Sequence, residues 1–279
     1  MSSRRNEGPS EHALRHGTES HYLDARLYDH TYARRKHDVR FYVEIAGEIG
    51  GPILELGAGS GRVAIALARA GHQVVAVDRM EPMLARLRER LARQPLAVRE
   101  RVTIVKGDLL KLRLRRRFRL VIAPFNVFMH LYRREDVEAA LATCRAHLMP
   151  REGRLVFDVL MPDFRAFVRD PHRQYRARPI VDPTDGRKWE YGEQFQFDPA
   201  TQVQMVTSVL RSPDDPGDLR VLPLAHRQFF PAELEALLHY NGFEMIERWG
   251  DFRRGPLSVD GESQVIVARA RRGRRAPAR

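Results

Sequence analysis

Gly57, Gly59 and Gly61 alternate with Ala58 and Ser60 in the stretch "ILELGAGSGR", Ile53 to Arg62, directly after an apolar run. Glycines this close together, where a strand runs into a helix, bring backbone N–H groups against a polar ligand. A dinucleotide-binding loop, G-x-G-x-x-G/A, needs a small last residue so that helix and strand can lie close. Arg62 holds that position here, which argues against NAD. Asp78 ends the next apolar run, 17 residues past Gly61, and a carboxylate there suits the two hydroxyls of a ribose. Asp108 ends the third run, "VTIVKGD", on the same edge, in place to receive the exocyclic amine of adenine. Pro124, Phe125 and Asn126 end the fourth. In this order the residues describe a ligand that bears adenosine and has no required pyrophosphate. Each also has a structural reading: a tight turn for the glycines, a helix cap for Asp78, a turn for Asp108. Glu55, flanked by apolar residues, is costly if buried unpaired and needs hydrogen-bond donors.

Such an edge exists only if the intervening segments fold as alternating strands and helices. "PILEL", "QVVAV", "VTIVKGD", "FRLVIAP" and "GRLVFDV" are predicted strands; Gly61 to Ala70, Met80 to Arg93 and Arg134 to Leu148 are predicted helices. This alternation requires right-handed crossovers, hence an α/β fold: a doubly wound, Rossmann-like sheet, mostly parallel, with helices on both faces. After the helix "FPAELEALLHYNGF", the strands "FEMIERWGDF" and "ESQVIVARA" are close enough to form a reversed pair, which adds a C-terminal antiparallel strand.

Between these parts, "RKWEYGEQFQFDPATQVQMVTSVLRS" alternates apolar and polar residues, with turn signals at "DPAT" and "SPDDPGD". It predicts an inserted antiparallel β-meander of about three or four strands. "YLDARLYDHTYARRKHDVRFYVEIAGEI" has helical spacing and predicts one or two helices before the core. The expected organisation is a disordered tail over 1–18, N-terminal helices and a cofactor-binding core over 19–172, the meander as a lid over 173–230, the rest of the core over 231–269, and a basic disordered tail over 270–279.

With 279 residues and 43% hydrophobic content the chain is globular, and it has no apolar run long enough to span a membrane. Its first residues, "MSSRRNEGPSEHALRHG", lack the apolar centre of a signal peptide, so the expected compartment is the cytoplasm. The single cysteine, Cys144, falls in a helical pattern as a small core residue, which excludes an intrachain disulfide or a cysteine zinc site. The net charge of +12 concentrates in six arginines (269, 271, 272, 274, 275 and 279) and in "RLRRRFR" from Arg113. Only four of the 48 basic residues are lysine, a bias towards arginine that need not reflect phosphate contacts. Nucleic acid is therefore an allowed partner and not the favoured one.

The glycine loop, Asp78 and the segment Gly107-Asp108-Leu109, taken together, resemble the class I S-adenosylmethionine-dependent methyltransferases. The resemblance covers about residues 40–160 and 226–269. The first motif, "ILELGAGSGRVAIALA", is similar to that family's, with acidic Glu55 before the loop. The resemblance implies S-adenosylmethionine as cofactor, with the glycines beside its methionine part, Asp78 on the ribose, Asp108 and Leu109 at adenine, and Asn126 near it beneath the substrate. Ala58, Arg62, Arg79, Met83 and Pro124, close to these in sequence, complete the expected binding set.

Methyl transfer is an in-line displacement in which the enzyme aligns, desolvates and, when needed, removes a proton. The fourth-strand sequence "APFNVFMHL" is not the Asn/Asp-Pro-Pro-Tyr type of many adenine and glutamine-amide methylases, which counts against those substrates. With the aromatic N-terminal segment it resembles small-molecule N-methyltransferases, whose N-terminal helix carries tyrosines over the cofactor. Tyr22, Tyr28, Tyr32 and Arg40 are the matching residues. The resemblance assigns Arg40 to the cofactor carboxylate and a tyrosine, Tyr32, to orienting the nucleophile. His130 is the candidate general base, with a surface or capping histidine as the alternative. Asp158, Tyr191, Arg227 and Phe229 are substrate contacts or packing residues. The leading expectation is methylation of a small polar metabolite, at nitrogen before oxygen. The alternatives are an RNA or protein methyltransferase using the basic patches, and a noncatalytic S-adenosylmethionine-binding protein. A homodimer through edge strands of the insertion is also open.

Overall fold

Side-chain caps set where the N-terminal helices begin. In the computed structural model, which describes residues 9–215 and 217–271, Ser10 Oγ accepts from Ala13 N at 3.2 Å and starts α1 (Glu11–Glu19). Asp24 caps α2 (Ala25–Thr31) through Arg26 N and Leu27 N. α3 (His37–Ile49) buries Asp38, Phe41, Tyr42, Ile45 and Ala46, a stripe at helical spacing. Residues 1–8 lie outside the described residues, but α1 corrects the expectation of disorder up to residue 18. Polar composition misleads there because the stabilising contact is remote in sequence. A Cβ on Gly17 would lie 2.9 Å from Ala225 Cβ, so the glycine lets the helix meet the inserted sheet closely.

The alternating core follows: β1 (Ile53–Leu56), α4 (Arg62–Arg69), β2 (Val74–Asp78), α5 (Glu81–Ala92), α6 (Leu96–Arg99), β3 (Val102–Lys106), β4 (Leu120–Ala123), α7 (Arg134–His147) and β5 (Arg154–Leu160). Only the short α6 is absent from the sequence prediction. The insertion comprises α8 (Phe164–Phe167), β6 (Tyr175–Arg176), β7 (Ile180–Val181), β8 (Lys188–Asp198), β9 (Val203–Arg211) and β10 (Leu219–Arg227). The core resumes with α9 (Pro231–Tyr240), β11 (Phe243–Trp249) and β12 (Ser263–Ala270).

The core sheet has the order β11-β12-β5-β4-β1-β2-β3. β1 to β5 pair in parallel, and β12 runs antiparallel to both β5 and β11. Both faces are covered: Leu54, Leu56, Val75 and Val77 enter one apolar cluster, Ile53, Val74 and Ala76 the other. That explains why these strands read as nearly continuous apolar runs. The chain order reverses between β1 and β4, which opens a crevice at their C-terminal ends. Cys144 packs inside α7, and burial pushes its thiol up to about 12, as befits a core residue.

The described residues form two compact units: those up to Arg34 with Pro162–Gln228, and Arg35–Met161 with those from Phe229 on. This moves the expected boundaries. The first two helices belong with the insertion, because Leu27 packs against Trp189 and Leu210, whereas α3 belongs with the core. The inserted sheet has the order β10-β9-β8-β6, with β7 also on β8, five strands where three or four are predicted. At the other end, Ala270 closes β12 and the Arg271 guanidinium donates to Phe243 O and His239 O, so the expected disordered tail does not begin at 270. Residues 272–279 lie outside the described residues. Among the described residues no helix is long and apolar enough to cross a membrane, and no group of three metal-ligating side chains occurs.

Candidate functional site

The glycine loop takes left-handed backbone at every second residue, with φ of +68° at Gly57, +55° at Gly59 and +79° at Gly61. Two of these glycines are also required by packing. A Cβ on Gly57 would lie 2.4 Å from Val127 Cγ2, and one on Gly61 only 2.0 Å from Leu87 Cδ1. At Gly59 the nearest atom would be Met83 Cε at 3.2 Å. Asp78, at the end of β2, clamps the loop: its carboxylate accepts from Gly59 N at 2.7 Å and from Met80 N at 2.8 Å. Burial pushes its carboxyl up, partly offset by those bonds and by Arg79. Each oxygen keeps a further lone pair, so the capping role and a diol-binding role are compatible.

Glu55, at 2% exposure, is the acid within β1. Burial pushes its carboxyl up to about 8; Arg62 opposes the rise and Asp78 adds to it. Its Oε2 is buried and has no hydrogen-bond partner among the described residues. Arg62 is committed elsewhere: it forms a bidentate pair with the fully buried Asp38 (2.9 and 2.5 Å) and donates to Arg35 O at 2.7 Å. Burial alone would raise the Asp38 carboxyl, but Arg62 and Arg35 outweigh it and hold the group below its ordinary value. The arginine that departs from the dinucleotide pattern thus ties the loop helix to the start of α3, which makes it a positioning group rather than a ligand cation.

At the third strand, Asp108 Oδ1 accepts from Leu110 N at 2.9 Å, making the local turn that its alternative reading predicts. Gly107 N donates to Asp78 O at 2.9 Å and draws the ends of β2 and β3 together. Leu109 packs at the edge of the core.

The end of β4 is strained. Phe125 and Asn126, after Pro124, have φ of +62° and +64°, a cost of roughly 1 to 3 kcal/mol each for residues with a Cβ. Asp158, fully buried in β5, offsets it: its carboxylate accepts from Phe125 N (2.8 Å), Asn126 N (3.2 Å) and Tyr42 Oη (2.6 Å). Two successive N–H groups in such a turn form a small anion-binding nest, and here the anion is an internal carboxylate. Burial pushes Asp158 up to about 6 despite these bonds. The Phe125 ring lies under the guanidinium groups of Arg35 and Arg62, at 4.8 and 5.0 Å. Asn126 Oδ1 is buried without a partner, and the 3-10 turn Val127–His130, which ends in His130, follows the same strand end. Asp158 is therefore a positioning residue. An acid inside "RLVFDVL" is visible in sequence, but the turn it holds is not.

Arg40 does not join this set. Its side chain is 82% exposed and pairs with Glu44 at 2.7 Å, one turn along the outer face of α3. Helical phase puts residues 38, 41, 42 and 45 inside and 40 and 44 outside. Tyr22 and Tyr32 lie in the other unit, where Tyr32 Oη bonds His21 Nε2 at 2.9 Å and Tyr22 stacks edge-on to the same ring. Phe229 is a core residue of the sheet unit. Tyr191 bonds Glu193 and Ser208 in the inserted sheet. Sequence reasoning overlooked Arg35, Asp38, Tyr42, Glu193, His21 and His226; helical phase marks Asp38 and Tyr42, and strand alternation marks Glu193 and His226.

Residues 53–151 match the family described as a methyltransferase domain. Among solved structures, the chain is similar to the CcbJ methyltransferase from Streptomyces caelestis, at 30% identity over 84% of this chain and 90% of that one, TM-score 0.71. It is similar in fold to the glycopeptide N-methyltransferase MtfA complexed with S-adenosyl-L-methionine, at 24% identity over 83% of this chain and 93% of that one, TM-score 0.58. It is also similar in fold to CalS10, an amino pentose methyltransferase from Micromonospora echinaspora bound to the same cofactor, at 19% identity over 97% of this chain and all of that one, TM-score 0.57. No curated protein matches the sequence.

Proposed function

The chain belongs to the class I S-adenosylmethionine-dependent methyltransferases, and from that premise we propose that it methylates a nitrogen of a small polar metabolite by direct in-line displacement. The observation that carries the reading is the row of acids at the C-terminal ends of three adjacent strands, Glu55, Asp78 and Asp108, around a glycine loop whose one arginine is already paired. Acids around a loop whose arginine is already paired suit a ligand that carries a ribose, an ammonium group and a sulfonium better than one that carries a pyrophosphate.

The cofactor supplies an electrophilic methyl group when bound. In this reading Asp78 accepts the ribose hydroxyls, with Arg79 and Met83 beside it, and Asp108 and Leu109 meet the adenine. Gly57, Ala58, Gly59 and Gly61 give the methionine part a close backbone, and the free Oε2 of Glu55 takes a donor from it or from a bridging water. Asn126 Oδ1 lies ready for a second donor, on a turn held by Asp158. The roles of Tyr22 at the cofactor and of Tyr32 in orienting the nucleophile rest on the family resemblance alone. His130 takes the proton that the acceptor gives up.

Nitrogen is favoured because an amine needs no strong base, and because similar folds include a glycopeptide N-methyltransferase and an amino pentose methyltransferase. The nucleic-acid reading draws on the loop between β3 and β4, but Arg113 and Arg117 there donate to the carbonyls of Leu112 and Leu148.

Calorimetric titration with S-adenosylhomocysteine, with NAD as control, tests the cofactor half. We expect binding of the former alone and at least a tenfold loss in Asp78→Ala. A labelled methyl donor offered to amine and hydroxyl metabolites tests the acceptor half; label found only on oxygen overturns the nitrogen assignment.

A further inference from the structure

Several polar groups of the inserted unit converge on one face of its sheet. Glu193 stands opposite Ser208, Phe197 opposite Gln204, and Gln204 opposite His226. Side chains two apart share a face, so Tyr191, Glu193, Ser208, Gln204 and His226 project the same way. On that face Tyr191 Oη donates to the Glu193 carboxylate and lies 3.1 Å from Ser208 Oγ. The N-terminal segment covers it: Leu27 packs with Trp189, Leu210 and Tyr191. The rings of Tyr22, Tyr28 and Tyr32 stand around His21 at centroid distances of 5.4, 5.9 and 5.8 Å.

Three properties define what this face can hold. The first is charge. In a chain with 48 basic residues, the only side chain bonded to the Glu193 carboxylate among the described residues is a tyrosine; the neighbouring Arg169 guanidinium lies over the Tyr175 and Phe195 rings, at 4.9 and 4.2 Å, and forms no ion pair with Glu193. The second is aromatic surface, whose negative ring faces attract cations. The third is the pair of imidazoles. Burial pushes His21 down to about 4 and, with His21 nearby, His226 down to about 3, so neither brings positive charge at neutral pH. His21 Nδ1 is moreover buried without a partner, and whichever tautomer the ring adopts it has a hydrogen bond still to make.

We propose that this face of the inserted sheet binds an organic ammonium ion, with Glu193 as its counter-charge, the tyrosine rings as its walls and His21 Nδ1 as a further polar contact. The proposal rests on the nitrogen reading, because an aliphatic amine acceptor is an ammonium ion at neutral pH. It deepens that reading by naming the charge of the acceptor and the residues that recognise it.

The probes are choline and its neutral isostere 3,3-dimethyl-1-butanol, alike in shape and different in charge. Each is titrated calorimetrically into the full chain saturated with S-adenosylhomocysteine. Choline is expected to bind about tenfold more tightly than the isostere. Glu193→Gln, which keeps an acceptor for Tyr191, is expected to erase that preference and leave the affinity for S-adenosylhomocysteine unchanged. Equal binding of the two probes, absence of binding by both, or a preference that survives Glu193→Gln overturns the proposal. Failure of the wild-type chain to bind S-adenosylhomocysteine overturns the cofactor assignment instead, so the two failures are distinguishable.

Discussion

Glu55 and Asp158 are both acids buried in strands of the core sheet, yet the chain uses them differently. Asp158 spends both oxygens on internal donors and fixes the backbone after β4. Glu55 keeps Oε2 unpartnered and stays close to neutral, up at about 8 against an ordinary 4.5. The sign of its pH effect follows. A folded state that retains a proton which the unfolded state releases above about pH 4.5 loses stability as pH rises, until about pH 8. Without cofactor, Glu55→Gln should therefore melt with the wild type near pH 5 and above it near pH 8, as followed by circular dichroism. A wild-type midpoint that exceeds the variant's at the higher pH would contradict burial as the cause. The candidate acids were legible in the sequence as isolated charges at strand ends. The donors that Asp158 faces lie 32, 33 and 116 residues away along the chain, so its role is not written locally.

At the scale of the element, the glycine loop shows two separate demands on one residue type. Gly61 has φ of +79° and no room for a Cβ beside Leu87, whereas Gly71 has φ of +99° and open space around it. Alanine at Gly71 should cost about 1 kcal/mol, the backbone contribution alone. Alanine at Gly61 should cost about 1 to 3 kcal/mol more through overpacking, with part of the difference restored by adding Leu87→Ala. Urea unfolding of the three variants measures this, and equal losses at both glycines would refute the packing account. The loop and the alternating strands were readable because their patterns are local. The helix over Glu11–Glu19 was not, because its stabilising contact is with Ala225, more than two hundred residues later.

For the whole molecule, charge is the property most open to misreading. The net +12 falls to +8 when residues 272–279, with four arginines, are removed (12 − 4). Deletion of that segment should leave S-adenosylhomocysteine affinity unchanged. Any retention on single-stranded RNA should fall with the deletion and fade in both forms by about 0.15 M salt, as expected of contacts to phosphate alone. Methyl incorporation into RNA that depends on the segment would revive the nucleic-acid reading. A dimer through the inserted sheet meets an obstacle at its edge strand β10, where Pro223 offers no N–H to a further strand.

The sequence by itself determined the doubly wound sheet, the reversed final strand and the ordered set of glycines and acids, since each is written in local periodicity or in spacing along one sheet edge. Only the tertiary structure decided that Arg62 pairs with Asp38, that Asp158 holds the turn at Phe125 and Asn126, and that Arg40 points outward. It also joined the first two helices to the insertion and gathered Glu193, Tyr191 and His21 around one face. The physical reason is the same in each case. A side chain's charge and hydrogen bonds are set by what packing brings within about 3 Å of it, and those neighbours come from segments whose separation along the chain carries no pattern.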